Sequence, residues 1–535
     1  MKPKRKNTPA TPQKRVEHEK EKKPLLLPVA VVFFLSVWAW ATLYYGPVFR
    51  IAREFSFWAP DETLMYFIKG RPWSALCWIG RALLQLYRWP VAGGALTALF
   101  VSGSSWLIGY CLRLRGWWRL LQYIPAAVYL WVTTYIGFDL YYETETGMIM
   151  GIPFVCFFIL SVLALVIRSF SRHHTFPNIV RPPKDELPLQ NRLQTLVVLG
   201  IVVITVGITH VMRPYVRVVA KMQCQMMEQD WEGMAKTARD HAELSYRQLS
   251  AYYTMALVQR GEQCSRLFDI RMDHDEPYMH GFEGLESNGE KYYIMECDLY
   301  AGLVQTAIHH AIENMTMNGP SIRTLKLLTK CALLKGEWNV AEKYLGVLQH
   351  VPFEDAFVER YKPMVGNMAL VDADPEFKMI RLTEPLRDCF ENFLTQPVFL
   401  GYNATLMEGR SVNALYNSLA VHIYTKSMPQ FMERVAPLAG TTPPANISDA
   451  VLLMSSKYPQ VLKLFPNIEY NRQQLMFFMQ SVRPYIKSFE ARTEHARELF
   501  PKWKGYYPYY YFFGNLKATK RKDATNEESS KHGVN

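Results

Sequence analysis

Four carboxylates stand where chemistry could be done. Asp61 and Glu62 are adjacent in the segment APDET, and Asp139 and Glu143 follow in a second acidic stretch that also holds Glu145. A carboxylate pair can act as a general base or hold a divalent ion beside a phosphate. Arg50, Arg53, Lys69 and Arg71 flank the first pair and could meet a pyrophosphate. The plainer reading is that these charges keep two loops wet. No P-loop, GxGxxG after a strand, GxSxG, HExxH or kinase set occurs, and the eight cysteines contain no CxxC pair. His309 and His310 are adjacent, so on a helix they point about 100° apart and make no chelating face. The residues therefore predict no cofactor and no metal site, and they lean away from an enzyme.

The acidic stretches are positioned by a series of apolar runs. Residues 1–23 form a basic tail with no apolar face to bury, predicted to be disordered. Within 24–212, five runs (25–45, 91–112, 117–138, 148–167 and 193–212) are about 20 residues each, the length a helix needs to cross a bilayer. Trp and Tyr crowd their ends, as at Trp38, Tyr45, Trp89 and Trp117, in the manner of an interfacial belt.

The short loops set the orientation. Arg113, Arg115 and Arg119 lie between the second and third runs, and Arg168, Arg172, Arg181, Lys184 and Arg192 between the fourth and fifth. The loop of Asp139, Glu143 and Glu145 has no Lys or Arg. By the positive-inside rule the N-terminus is cytoplasmic, while the acidic loop and everything after Met212 lie outside. The stretch 72–89 (PWSALCWIGRALLQLYRW) is amphipathic and is predicted to lie along the outer interface as a helix; if it crosses instead, six spans reverse the placement. The net charge of +12 sits largely in the tail and these loops, which fits membrane orientation and not a nucleic-acid groove.

From 213 onward the pattern becomes one apolar stripe per 3.6 residues, the mark of helices on a soluble core. Helix turns are predicted at Asp230, Gly261, Gly302 and Gly336, with Ala235, Ala307 and Ala341 five residues after three of them. A small residue there lets the second helix approach the first. LLKGEWNVAEKYL around Gly336 resembles a tetratricopeptide unit, and Gly302 to Gly336 has that repeat's length; the other gaps are irregular. The repeats cover 213–360, a further helical domain 361–515, and a charged tail 516–535. Asp273, His274, Asp275, Glu276 and His280 match no metal-site spacing and read as a solvated loop. The segment WKGYYPYYYFFGN could anchor a partner or a sugar face, or close the helical stack as a final element. Five cysteines, Cys224, Cys264, Cys297, Cys331 and Cys389, read as small buried hydrophobes.

The order of segments, the entry WPVAGGAL to the second run, the repeat turn LLKGEWNVAEKYL and the aromatic end resemble an uncharacterised family of bacterial, Bacteroidales-type multi-pass inner-membrane proteins with a C-terminal tetratricopeptide-like domain. The resemblance implies no activity. The fold class is therefore all-α: a multi-span transmembrane block followed by a tetratricopeptide-like α-solenoid. The function expected is a scaffold or accessory subunit of an envelope assembly, with membrane lipid around it and a protein or peptide in its periplasmic solenoid. The alternative is a multi-pass transferase acting on a lipid-linked glycan or other envelope precursor. In one respect the first acidic loop resembles glycosyltransferases that use lipid-linked donors, although those have about twice as many spans.

Overall fold

A long uncharged run cannot leave its N–H and C=O groups unpaired, and the α-helix pairs them within the run. The computed structural model describes residues 29–70, 72–114, 116–136, 145–173, 187–212, 214–244, 246–272, 294–384, 386 and 411–516, and among them every regular element is helical. The apolar block holds α1 (Val29–Ala39, carried on by a π turn to Tyr44), α2 (Gly46–Glu54), α3 (Ser74–Leu84), α4 (Pro90–Cys111), α5 (Ile124–Ile136), α6 (Met148–His173) and α7 (Leu187–Met212). Three helices, α4, α6 and α7, are long and apolar enough to cross a membrane. The bent pair of α1 and α2 makes a fourth if it is one span; the chain bends by 64° between its limbs. Pro47 stands in the first turn of α2, where its missing N–H costs nothing to the new helix and ends the old one.

The run read as 117–138 is divided. A 3-10 stretch, Gly116–Tyr123, precedes α5, whose 13 residues are too few to span as one helix. Pro125 explains the break, because an α-helix continued backward would place it in the interior. Helix α3 has 11 residues, fewer than a helix needs to cross a bilayer. It packs against the start of α6, where Gly80 faces the Gly147 carbonyl and Gly151 faces Leu76, and a Cβ on any of the three glycines would overlap its neighbour. Arg81 Nε lies 2.5 Å from Glu145 Oε1 and its Nη1 donates to Phe57 O. Trp73, Trp78 and Trp89 stay exposed around α3.

Side-chain contacts fix the directions of the helices. Phe33 of α1 packs on Tyr123 ahead of α5 at 5.4 Å, and Tyr45, after α1, donates to Thr133 O near the end of α5. Tyr44 donates to Val206 O in the second half of α7. Thr97 of α4 instead meets Met150 at the start of α6, and Gly94 abuts Thr42. So α1, α5 and α7 run one way and α4 and α6 the other. The ends of α1, α5 and α7 gather with the starts of α4 and α6.

At that end stands a helical array: α8 (Pro214–Met227), α9 (Trp231–Asp240), α10 (Arg247–Arg260), α11 (Gln263–Arg266), α12 (Ile294–Tyr300), α13 (Val304–Asn318), α14 (Ile322–Lys335), α15 (Trp338–Gln349), α16 (Asp355–Tyr361), α17 (Met368–Ala373) and α18 (Pro375–Thr383). Asp230, Gly261, Gly302 and Gly336 each stand at a turn between successive helices. Asp230 caps α9 by accepting from Gly233 N, and the three glycines take left-handed φ values of +69°, +86° and +73°. Ala235, Ala307 and Ala341 are fully buried where the second helix meets its neighbours.

The chain continues through α19 (Val412–Tyr424), α20 (Met428–Arg434), α21 (Ala445–Met454), α22 (Val461–Leu464), α23 (Arg472–Val482), α24 (Phe489–Trp503) and α25 (Tyr507–Phe513). The aromatic segment is core. Tyr507, Tyr509, Tyr510 and Phe513 are buried, Phe268 stacks on Tyr510 at 4.3 Å, and Tyr510 donates to Tyr424 O. Both tails and the loop with Asp273, His274, Asp275, Glu276 and His280 lie outside the described residues.

Two glycines in one hairpin should respond in opposite directions. Gly336→Val forces a β-branched residue into left-handed backbone and should cost about 1–2 kcal/mol. Gly346→Ala, in the open middle of α15, should stabilise by about 0.5–1 kcal/mol. Denaturant unfolding of both variants measures the contrast.

Candidate functional site

Helix α14 is buried nearly all round, yet Arg323, Lys326 and Lys330 recur at i, i+3 and i+7, so all three lie on one face. That face turns toward α2, whose last residues are Arg53 and Glu54. Arg53 Nη1 lies 2.7 Å from Glu54 Oε1 and its Nη2 2.6 Å from Glu354 Oε1. Lys326 Nζ closes the ring at 2.9 Å from Glu54 Oε2 and 2.8 Å from Glu354 Oε2. Arg53, Glu54 and Glu354 are at most 2% exposed. Arg53 also donates to Pro352 O, so the ring is anchored to main chain.

The same seam is tied at other points. Arg50 meets Glu228 at 2.5 Å, Arg323 is paired with Glu296 and stacks on Phe55, and Ile322 N donates to Ser56 O. Trp89 packs on Phe353 at 4.6 Å. Phe353 and Gln229 hold φ of +67° and +58°, a conformation costly for residues with a Cβ, and both sit along this seam.

Behind the array wall stands Glu376, at the start of α18. It accepts from Tyr300 (2.7 Å), Tyr361 (2.7 Å), Gln229 (2.6 Å) and Lys330 (2.6 Å). Burial alone would raise its pKa, but Lys330 and the two phenols outweigh burial and hold the carboxyl below its ordinary value. Burial and the Glu376 charge push both phenols up, so Tyr300 and Tyr361 stay protonated donors. Between these walls lies a cavity of about 290 Å³ with Arg50, Arg88, Lys326, Lys330, Arg360 and Tyr300 among its lining. The arrangement presents rigid cations, each array-side one braced by a carboxylate, to whatever enters.

The acidic pair marked by the sequence lies elsewhere. Asp61 accepts from the Thr63 amide (2.8 Å) and hydroxyl (2.6 Å), which hold it below the usual carboxylate range. Glu62 is exposed and paired with Lys69, which lowers its pKa likewise. Asp139 and Glu143 lie outside the described residues, as does Arg71. Arg50 and Arg53 are brought to the cavity and the ring, not to Asp61. His310 Nδ1 meets Asp298 at 2.8 Å rather than turning with His309 toward a common point. Cys224, Cys264, Cys297 and Cys331 are buried, with the Cys224 thiol pushed up to about 12 by burial; Cys389 lies outside the described residues. Sequence reasoning passed over Glu54, Glu296, Glu354, Glu376, Arg88, Lys326 and Lys330. The signal available was three cations on one face of a leucine-rich helix.

An all-helical protein with three helices apolar enough to cross a membrane, and a charged cavity where its apolar bundle meets a helical array, is the class that fold and site define. The model of a family of unknown function (DUF6057) matches residues 134–514, more than half of the chain, and the protein belongs to that family. The match runs from the end of α5 through α25, so it takes α6, α7 and the array together. No curated protein and no solved structure matches.

Lys326→Met should strand Glu54 and Glu354 on one guanidinium and cost about 3 kcal/mol, an amount that a second change, Glu354→Leu, should partly restore. The Glu376 carboxylate, with a folded pKa below its unfolded one, stabilises above the unfolded value of about 4.3 and loses that share as pH falls through the folded value. Glu376→Gln should therefore lower the thermal midpoint at pH 7, by about 2 kcal/mol of stability, and the gap from wild type should narrow below pH 4. Thermal scans from pH 3 to 8 test the sign.

Proposed function

We propose that this is a bacterial inner-membrane protein whose bundle crosses the bilayer and whose array, a tetratricopeptide-like solenoid, stands in the periplasm as a docking surface for a protein or peptide of an envelope assembly. The observation that carries the reading is the seam: ion pairs, a main-chain hydrogen bond and an edge-to-face aromatic pair hold the array in one posture against the end of the bundle. A surface held in a fixed pose relative to a bilayer suits presentation. The positive-inside count supports an extracytoplasmic position for that end, and the alternating helix directions gather Asp61, Glu145 and the array at the same end of the bundle. Successive helices turning at Gly261, Gly302 and Gly336 favour an extended concave face over a closed bundle.

A transferase acting on a lipid-linked envelope precursor is the second reading. It is favoured by the cations gathered at the bundle end of the array, a place such a substrate's polar group would reach.

Alkaline phosphatase fused after Asn535 should be active and a fluorescent protein at the same place dark; a fluorescent cytosolic fusion overturns the placement. A photo-crosslinker at the exposed Met317 or Leu370 should give a discrete protein adduct in cells. If adducts form at neither position, and Asp61→Asn with Glu62→Gln abolishes function at normal abundance, the transferase reading replaces the scaffold.

A further inference from the structure

We propose that the cavity between bundle and array is a binding site for a phosphate group, either a soluble phosphate ester or a phospholipid headgroup. Its lining holds six cations, Arg50, Arg88, Arg323, Lys326, Lys330 and Arg360, against four carboxylates. Within that positive surplus Arg88 makes no hydrogen bond or salt bridge among the described residues, although it is half-buried; its charge acts on Glu54 only at longer range, helping to lower that carboxyl. An arginine left beside a cavity with no directly bonded counter-ion is costly for a structural seam and apt for a site that receives one.

Geometry narrows the class. The cations reach the cavity from two bodies: Arg50 and Arg88 from the bundle, the other four from α14 and α16. A phosphate has oxygens in three or four directions and accepts from donors on several sides, whereas a carboxylate is flat and suits a single fork. Lys326 is held by Glu54 and Glu354 beside it in the lining, and Lys330 by Glu376 behind the wall, so both are already ordered. Binding then pays little side-chain entropy. Phe55, Phe357 and Met226 form an apolar wall beside the charges, which suits an ester with an organic body. The volume of about 290 Å³ admits a small phosphate ester, or the headgroup of a larger lipid entering from the bundle side.

The phosphate arm does not depend on which compartment the array occupies, so it can fail or succeed apart from the scaffold reading. The full chain in detergent is titrated with inorganic phosphate and glycerol 1-phosphate, with sodium chloride at matched ionic strength as the control. The thermal midpoint should rise with the phosphates and not with chloride. Arg88→Gln, which removes no ion pair, should keep the ligand-free midpoint and weaken apparent affinity at least tenfold; Lys502→Gln, far from the cavity, should leave it unchanged. Against bound inorganic phosphate, stronger competition by phosphatidylglycerol in mixed detergent micelles than by glycerol 1-phosphate identifies a lipid headgroup, and the reverse a soluble ester. No midpoint rise with either phosphate, or an equal rise in Arg88→Gln, overturns the proposal.

Discussion

Two cations and two carboxylates, Arg53, Lys326, Glu54 and Glu354, meet where the bundle touches the array, and the rest of the molecule is arranged around that meeting. Burying four charges is expensive, and a well-packed apolar seam could match or exceed its stability. What the ring supplies is register. Each carboxylate must face both cations, so α2, α14 and the start of α16 have one relative position in which no charge is stranded. An apolar seam could slide; this one cannot.

The ring depends in turn on how the bundle delivers α2. The π turn after α1 and the prolyl start at Pro47 redirect the chain by 64°, turning Arg53 and Glu54 away from the apolar helices. The close glycine contacts of α3 on α6 keep the following segment at the same end, and a 3-10 turn at Gln85–Arg88 brings Arg88 to the cavity rim. The family match begins only at residue 134, so half of the seam's charged partners lie outside it while the array's partners lie within. The cavity is thus lined by residues from both sides of the point where the match begins.

Much of the fold was legible because its determinants are local. Helical periodicity, charge-free length, and glycine or aspartate at turns act within a few residues, and Gly261, Gly302, Gly336 and Asp230 stand at helix ends accordingly. The long runs that became α4, α6 and α7 were equally plain. Length counted on composition alone did not reveal that Pro125 divides the run before α5, since hydropathy carries no information about a missing N–H. The candidate site was harder to see. Asp61 and Glu62 attracted notice by adjacency, yet neighbours in sequence satisfy them: Thr63 and Lys69.

The sequence by itself determined an all-helical chain, the apolar runs, the turn positions and the charge asymmetry of the loops, because each is a property of residues within one or two helical turns. Only the tertiary structure decided that Arg53 and Glu54 meet Lys326 and Glu354 across some three hundred residues, and that Glu376 steadies a wall of donors. Charges paired across such distances leave no periodic trace. Their partnership exists only once packing has excluded water and made every unpaired charge costly.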